Sequence, residues 1–161
     1  MSPTRASRGA RGRADQCALR LPADTGYLAA VRELVASAAR RLGLAMPEVA
    51  KTVMAVDEAC VNVVQHGYRG QRRGILEVAV EVEATRLTVT IADRSPAPFS
   101  PLEHPAPDLE AYWAAPSRPG LGILILRQFM DHVSHTYLPG QGNRLRLVKY
   151  AAGKAPSATA P

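Results

Sequence analysis

The apolar pattern of this chain changes period near residue 67, and that change limits the fold to helices layered on a sheet. Over residues 28–64 apolar side chains recur at helical spacing, and over 76–91 they alternate. Leu76, Val78, Val80 and Val82 alternate with Glu77, Ala79, Glu81 and Glu83, which predicts a half-buried strand with one wet face. Leu87, Val89 and Ile91 alternate with Thr88 and Thr90 in a second strand. The link Ala84-Thr85-Arg86 joins the two as a hairpin, without the usual Asn-Gly signal.

Residues 16–22 read as a short strand ending at Pro22, after which Asp24 or Thr25 can cap a helix. Leu28, Val31, Val35, Ala38 and Leu42 give that helix one apolar face, and Gly43 ends it. Pro47 opens a second helix at a first-turn position, and Gly67 stops it near Gln65 or His66. Its buried side is expected to carry Ala50, Val53, Met54, Asp57, Val61 and Val64, with Asp57 a misplaced acid. A third helix starts at Gly120 and reaches His132, with Leu121, Leu124, Ile125, Gln128 and Phe129 on one side. Strands at 133–138 and 144–150 follow, joined by a turn at 139–143. The order β-α-α-β-β-loop-α-β-β predicts an α+β two-layer sandwich, its mixed but mostly antiparallel sheet covered on one face by three helices.

The 161 residues suit one domain, expected at 16–151, between a basic tail at 1–15 and a mobile Ala/Pro/Ser tail at 152–161. The net charge is +6, and Arg5, Arg8, Arg11 and Arg13 carry four of those charges. A high pI invites a nucleic-acid reading, but the excess sits in a Ser/Gly/Arg tail and no basic stripe is interleaved with aromatics. Direct nucleic-acid binding is therefore not expected. Cys17 and Cys60 form no CxxC pair, which fits a reduced, cytoplasmic setting. No apolar run approaches the roughly 20 residues that span a bilayer, so no membrane role is expected. The arginines at the N-terminus precede no apolar h-region, so they do not read as a secretory signal. Between 94 and 119 lie seven prolines, marking a long functional or mobile loop with one short helical turn at 108–113 around Trp113.

Chemistry-bearing residues are few. Glu58, Asn62 and His66 are spaced i, i+4, i+8 and line one helical face. The same three also suit a plain solvent-facing row, with His66 favoured by the helix dipole. Asp93 keeps the parity of Leu87, Val89 and Ile91, so its carboxylate points to their buried side and needs a donor. It also suits an ordinary chain-turning strand end. Gly120-Leu121-Gly122 opens a helix after the loop, where unpaired N–H groups attract phosphate and glycines allow its close approach. Gly120-Leu121-Gly122 lacks the lysine of a Walker A loop. His132 and His135 with Asp131 straddle a helix-to-strand junction, so they are not expected to converge on a metal.

The order of these pieces resembles the GHKL ATPase superfamily with its Bergerat nucleotide fold. The likeness is closest to the anti-sigma-factor serine-protein kinases of bacterial partner-switching modules, and covers residues 16–150. DEACVNVVQHGY looks like that branch's N-box, GLGILILRQFMDHVSH like its second glycine box and helix, and GNRLRLVK like its terminal strand. The resemblance implies ATP and Mg²⁺, with Asn62 holding the metal and Asp93 accepting from the adenine amino group. It places Gly120, Leu121, Gly122 and Ile123 at the phosphates, 95–119 in the ATP lid, and Glu58 as general base toward a partner serine. His66 receives no step. One departure stands out: where the family reads Asp-x-Gly-x-Gly, this chain has Asp93-Arg94-Ser95-Pro96-Ala97, which predicts strain or bulk beside the nucleotide.

The implied function is phosphorylation of a serine on a STAS-domain anti-anti-sigma protein, controlling the availability of a sigma factor. A homodimer is carried over from relatives by analogy. The alternative implied by the missing glycines is a non-catalytic anti-sigma or switch module with weak nucleotide binding or none.

Overall fold

The computed structural model describes residues 14–68, 74–96, 98, 102 and 121–154. Gly120, Ala97, Trp113 and the expected helical turn at 108–113 lie outside the described residues, as do most of the loop and of the two tails.

Strand β1 (Asp15–Pro22) leads through a single 3₁₀ turn, Thr25–Tyr27, into helix α1 (Leu28–Arg41). Asp24 caps that turn by accepting the Gly26 N–H at 2.8 Å. Helix α1 buries Leu28, Val31, Val35, Ala38 and Ala39, the face expected from spacing. Helix α2 (Met46–Asn62) carries Pro47 in its first turn, where a missing N–H loses no helical bond. Hairpin strands β2 (Ile75–Val82) and β3 (Arg86–Asp93) follow, then helix α3 (Leu121–Phe129) and strands β4 (His132–Leu138) and β5 (Gly142–Tyr150).

The sheet runs β1-β2-β3-β5-β4, and all four pairings are antiparallel, so the expected mixed sheet has no parallel pair among the described residues. Three helices lie on one face, where Leu76, Val78, Val80, Leu87, Val89, Ile91, Leu145 and Leu147 meet them in one core. Alternation puts Ala79, Thr90, Arg144 and Arg146 on the opposite face, which carries no described helix.

Two helix faces differ from expectation. Helix α2 buries Val49, Thr52, Ala55, Val56, Ala59 and Cys60, whereas Ala50 and Met54 are exposed. The helix is apolar around most of its circumference, so apolar spacing alone does not select a face. Small residues do, because Ala55 and Ala59 allow close approach to the sheet. Thr52 tolerates full burial by donating its hydroxyl to the Glu48 carbonyl at 2.7 Å. Asp57 is therefore no core acid: it faces α1, where Arg32 Nε stands 3.0 Å from its Oδ1 in a charge pairing without hydrogen-bond alignment. Helix α3 buries Ile123 and Leu126 most deeply, with Met130 just beyond it; the expected Ile125 and Phe129 pack half-buried against the core, Leu124 is half-buried, Gln128 is exposed, and the helix ends three residues before His132. Its end is tied down by Lys149, which donates to the Phe129 carbonyl at 3.0 Å and pairs with Glu48 at 3.1 Å.

The corrected face of α3 gives an expected outcome. Leu126→Ala, at a site with no solvent exposure, should lower unfolding free energy by about 2–5 kcal/mol in urea titration. Leu124→Ala, at a half-buried site, should lower it clearly less. A larger loss in Leu124→Ala would mean that α3 sits with the other face inward.

Candidate functional site

Glu58 and Asn62 lie one turn apart at the end of α2, and both are half-buried. Helix α3 begins directly against them. A Cβ on Gly122 would stand 3.0 Å from Glu58 Oε2 and 3.2 Å from Asn62 Nδ2. Two segments sixty residues apart thus meet where a Cβ would crowd both side chains. The first N–H groups of α3 have no intrahelical acceptor, so Leu121, Gly122 and Ile123 present partial positive charge at this point. Burial raises the pKa of Glu58 above the ordinary carboxyl value, and the neighbouring charge of Asp57 adds to it. Glu58 is accordingly a better proton acceptor than a fully solvated glutamate.

The row does not continue to His66. After Asn62 the helix widens into a π turn, Val63–Gly67, closed by the Tyr68 N–H on the Val63 carbonyl at 3.3 Å. This i→i+5 bonding breaks the i, i+4 alignment, and His66 is exposed. The π turn delivers Gly67 to the far end of the site instead. A Cβ there would stand 3.6 Å from Ser95 Oγ and 3.8 Å from Asp93 Oδ1.

Asp93 is buried at the end of β3, on the side its parity required. Its Oδ1 accepts the Ser95 backbone N–H at 2.9 Å and the Ser95 hydroxyl at 2.5 Å. Asn143, opposite Asp93 on β5, extends Nδ2 to Ser95 Oγ at 2.8 Å and to Asp93 Oδ1 at 3.3 Å. Ser95 is therefore built into the site as a donor. Its hydroxyl points at the Asp93 carboxylate and the Asn143 amide. Ala97, the second departure from the glycine box, lies outside the described residues, as does Gly120.

Several contributors were not singled out from sequence. Gly142 has φ +91°, and a Cβ on it would collide with the Asp93 carbonyl oxygen. Tyr68 accepts the Arg94 N–H and donates to the Ile75 carbonyl, both at 2.8 Å. Tyr137 donates to the Pro96 carbonyl at 2.8 Å. Two tyrosines thus fix the start of the long loop. The Gly-x-Gly-Asn spacing of the last turn was the available signal for Gly142 and Asn143. His132 and His135 project from opposite faces of β4, and Asp131 accepts the Tyr150 N–H at 2.7 Å, so the three do not converge.

Comparison with known proteins agrees with this geometry. Residues 21–149 match the histidine kinase-like ATPase domain family. The serine-protein kinase RsbW of Bacillus velezensis is 28% identical over 87% of this chain and 88% of its own length. The RsbW of Bacillus pumilus is 32% identical over 74% of this chain and 76% of its own. The anti-sigma F factor of Bacillus cytotoxicus is 31% identical over 74% and 81% respectively. With the sandwich, the α3 entrance at Gly122 and the buried strand-end aspartate in place, the chain belongs to the histidine kinase-like ATPase family, on the branch of its anti-sigma serine-protein kinases.

Proposed function

We propose that this chain binds ATP with Mg²⁺ and phosphorylates a serine of a STAS-domain anti-anti-sigma protein, and that it holds a sigma factor when that antagonist is not engaged. The observation that carries the reading is the meeting of Gly122 with Glu58 and Asn62. The residues fit a nucleotide because close approach is left open at both ends, by Gly122 beside Asn62 and by Gly67 beside Asp93. The donor set fits Mg²⁺ sparingly: one amide oxygen, from Asn62, suits a hard cation that keeps most of its waters.

In this reading Asp93 accepts from the adenine amino group. The backbone N–H groups of Gly120, Leu121, Gly122 and Ile123 hold phosphate oxygens, with α3's dipole behind them. When bound, ATP supplies the transferred phosphoryl group and Mg²⁺ neutralises its charge. Glu58 orients the partner's serine hydroxyl and takes its proton, a role helped by the raised affinity for protons that burial gives it. The names of the related proteins support a protein serine as substrate and a sigma factor as partner.

The reading extends to a homodimer through the helix-free sheet face. There β2 presents Glu77 and Glu81, β5 presents Arg144 and Arg146, and Thr90 lies between them on β3. A two-fold axis through β3 sets the acidic row of one copy over the basic row of the other, and the small Ala79, Thr90 and Ala92 allow close stacking.

Three outcomes are expected. Glu58→Ala should lower phosphate transfer to a cognate antagonist about 100-fold or more while ATP affinity changes little; a fully active variant would remove Glu58 from the role of base. Gly122→Ala should weaken ATP-Mg²⁺ binding in calorimetry, because its methyl enters the space beside Glu58 and Asn62. Wild-type protein that gives neither heat nor a thermal shift with millimolar nucleotide would favour passive capture. Arg146→Glu should shift sedimentation toward monomer, and a monomeric wild-type protein would sink the dimer.

A further inference from the structure

His135 sits on the helix-facing side of β4, and its Nε2 lies 2.9 Å from Asn143 Oδ1. The direction of that bond follows from the network beyond it. Ser95 Oγ donates to Asp93 Oδ1, so it must accept from Asn143 Nδ2. The amide thereby turns its oxygen toward His135, and His135 Nε2 must carry a hydrogen. Four residues form one directional chain: His135 donates to Asn143, Asn143 to Ser95, and Ser95 to Asp93. Each donor is polarised toward the carboxylate at the end.

The chain also decides which oxygen of Asp93 remains for a ligand. The Ser95 N–H, the Ser95 hydroxyl and the Asn143 amide all address Oδ1, and none of them addresses Oδ2. A carboxylate held at one oxygen by three donors cannot rotate freely about its terminal torsion. Its second oxygen is presented in one direction.

We propose that His135, acting through Asn143 and Ser95, is a positioning residue that aims Asp93 Oδ2 at the amino group of adenine, so that a side-chain relay stands in for the glycines missing after Asp93. The inference rests on Asp93 being the adenine acceptor. Removing His135 leaves the Asn143 amide without its orienting donor, and the amide can turn its oxygen toward Ser95. The relay then breaks at its middle, with Asp93 still present.

The test measures binding of ATP and of inosine triphosphate, which carries an oxo group where adenine has its amino group, by calorimetry on the full chain. Wild type should prefer ATP, and Asp93→Ala should abolish the preference. His135→Phe and Asn143→Leu should each shrink the preference roughly three- to tenfold, as for loss of one or two hydrogen bonds, with little change for inosine triphosphate. His135→Gln, which keeps an N–H donor, should recover most of it and guards against a folding defect in the phenylalanine variant. An unchanged preference in His135→Phe and Asn143→Leu beside its loss in Asp93→Ala overturns the relay and leaves the adenine reading standing. An equal fall for both nucleotides assigns these residues a purely structural role and also overturns it. No preference in wild type, or a preference that survives Asp93→Ala, removes the adenine reading and the relay with it.

Discussion

The geometry at this end of the molecule depends on keeping one buried carboxylate satisfied. Asp93 is only 3% exposed, and an ionised group drawn that far from water is costly unless hydrogen-bond donors surround it. The requirement reaches well beyond Ser95. The register of β3 against β5 must set Asn143 opposite Asp93, and a slip of one residue would turn the amide to the other face. Gly142 must precede Asn143, since a side chain there would strike the Asp93 backbone. The β4–β5 turn, the sheet register and the start of the long loop are thus coupled through a single carboxylate oxygen.

The sequence was informative where one face of an element is wet. The alternation from Leu76 to Ile91 gave β2 and β3 with their inward sides, and it assigned Asp93 to the buried side. Helix α1, with Arg32 and Arg40 on its outer surface, declared its face for the same reason. Helices α2 and α3 did not, because Ala and Val leave α2 apolar nearly all round and α3 reads Leu-Gly-Ile-Leu-Ile-Leu. Only packing selects among such faces, and it selected the rows of Ala55 with Ala59 and of Ile123 with Leu126. The candidate site divides along the same line. Glu58 and Asn62 share a helix and are visible as spacing, whereas Asp93, Ser95, His135 and Asn143 come from two loops' edges and three strands. No local period joins them.

The π turn after Asn62 links the two ends of the site. An α-helical continuation would have kept His66 in the row of Glu58 and Asn62. The wider turn breaks that row, leaves His66 exposed, and brings Gly67 beside Ser95 and Asp93. One element therefore contacts both halves: α2 proper meets the α3 entrance at Gly122, and its π extension meets the buried aspartate. The one helix and its π extension thus border both Glu58 and Asp93.

This arrangement changes what the missing glycines mean. A glycine is required only where a Cβ would occupy needed space or where φ is positive. At this site the requirement falls on Gly142, with its φ of +91° against Asp93, while a Cβ on Gly122 would crowd the side-chain ends of Glu58 and Asn62. Ser95 is buried, and its hydroxyl makes a bond that a glycine has no atom to make. The glycine box is one way to bring backbone donors to a strand-end carboxylate. A serine that adds its hydroxyl to its backbone N–H, backed by an asparagine and a histidine from neighbouring strands, is another, and it ties the carboxylate to the sheet as well as to the loop.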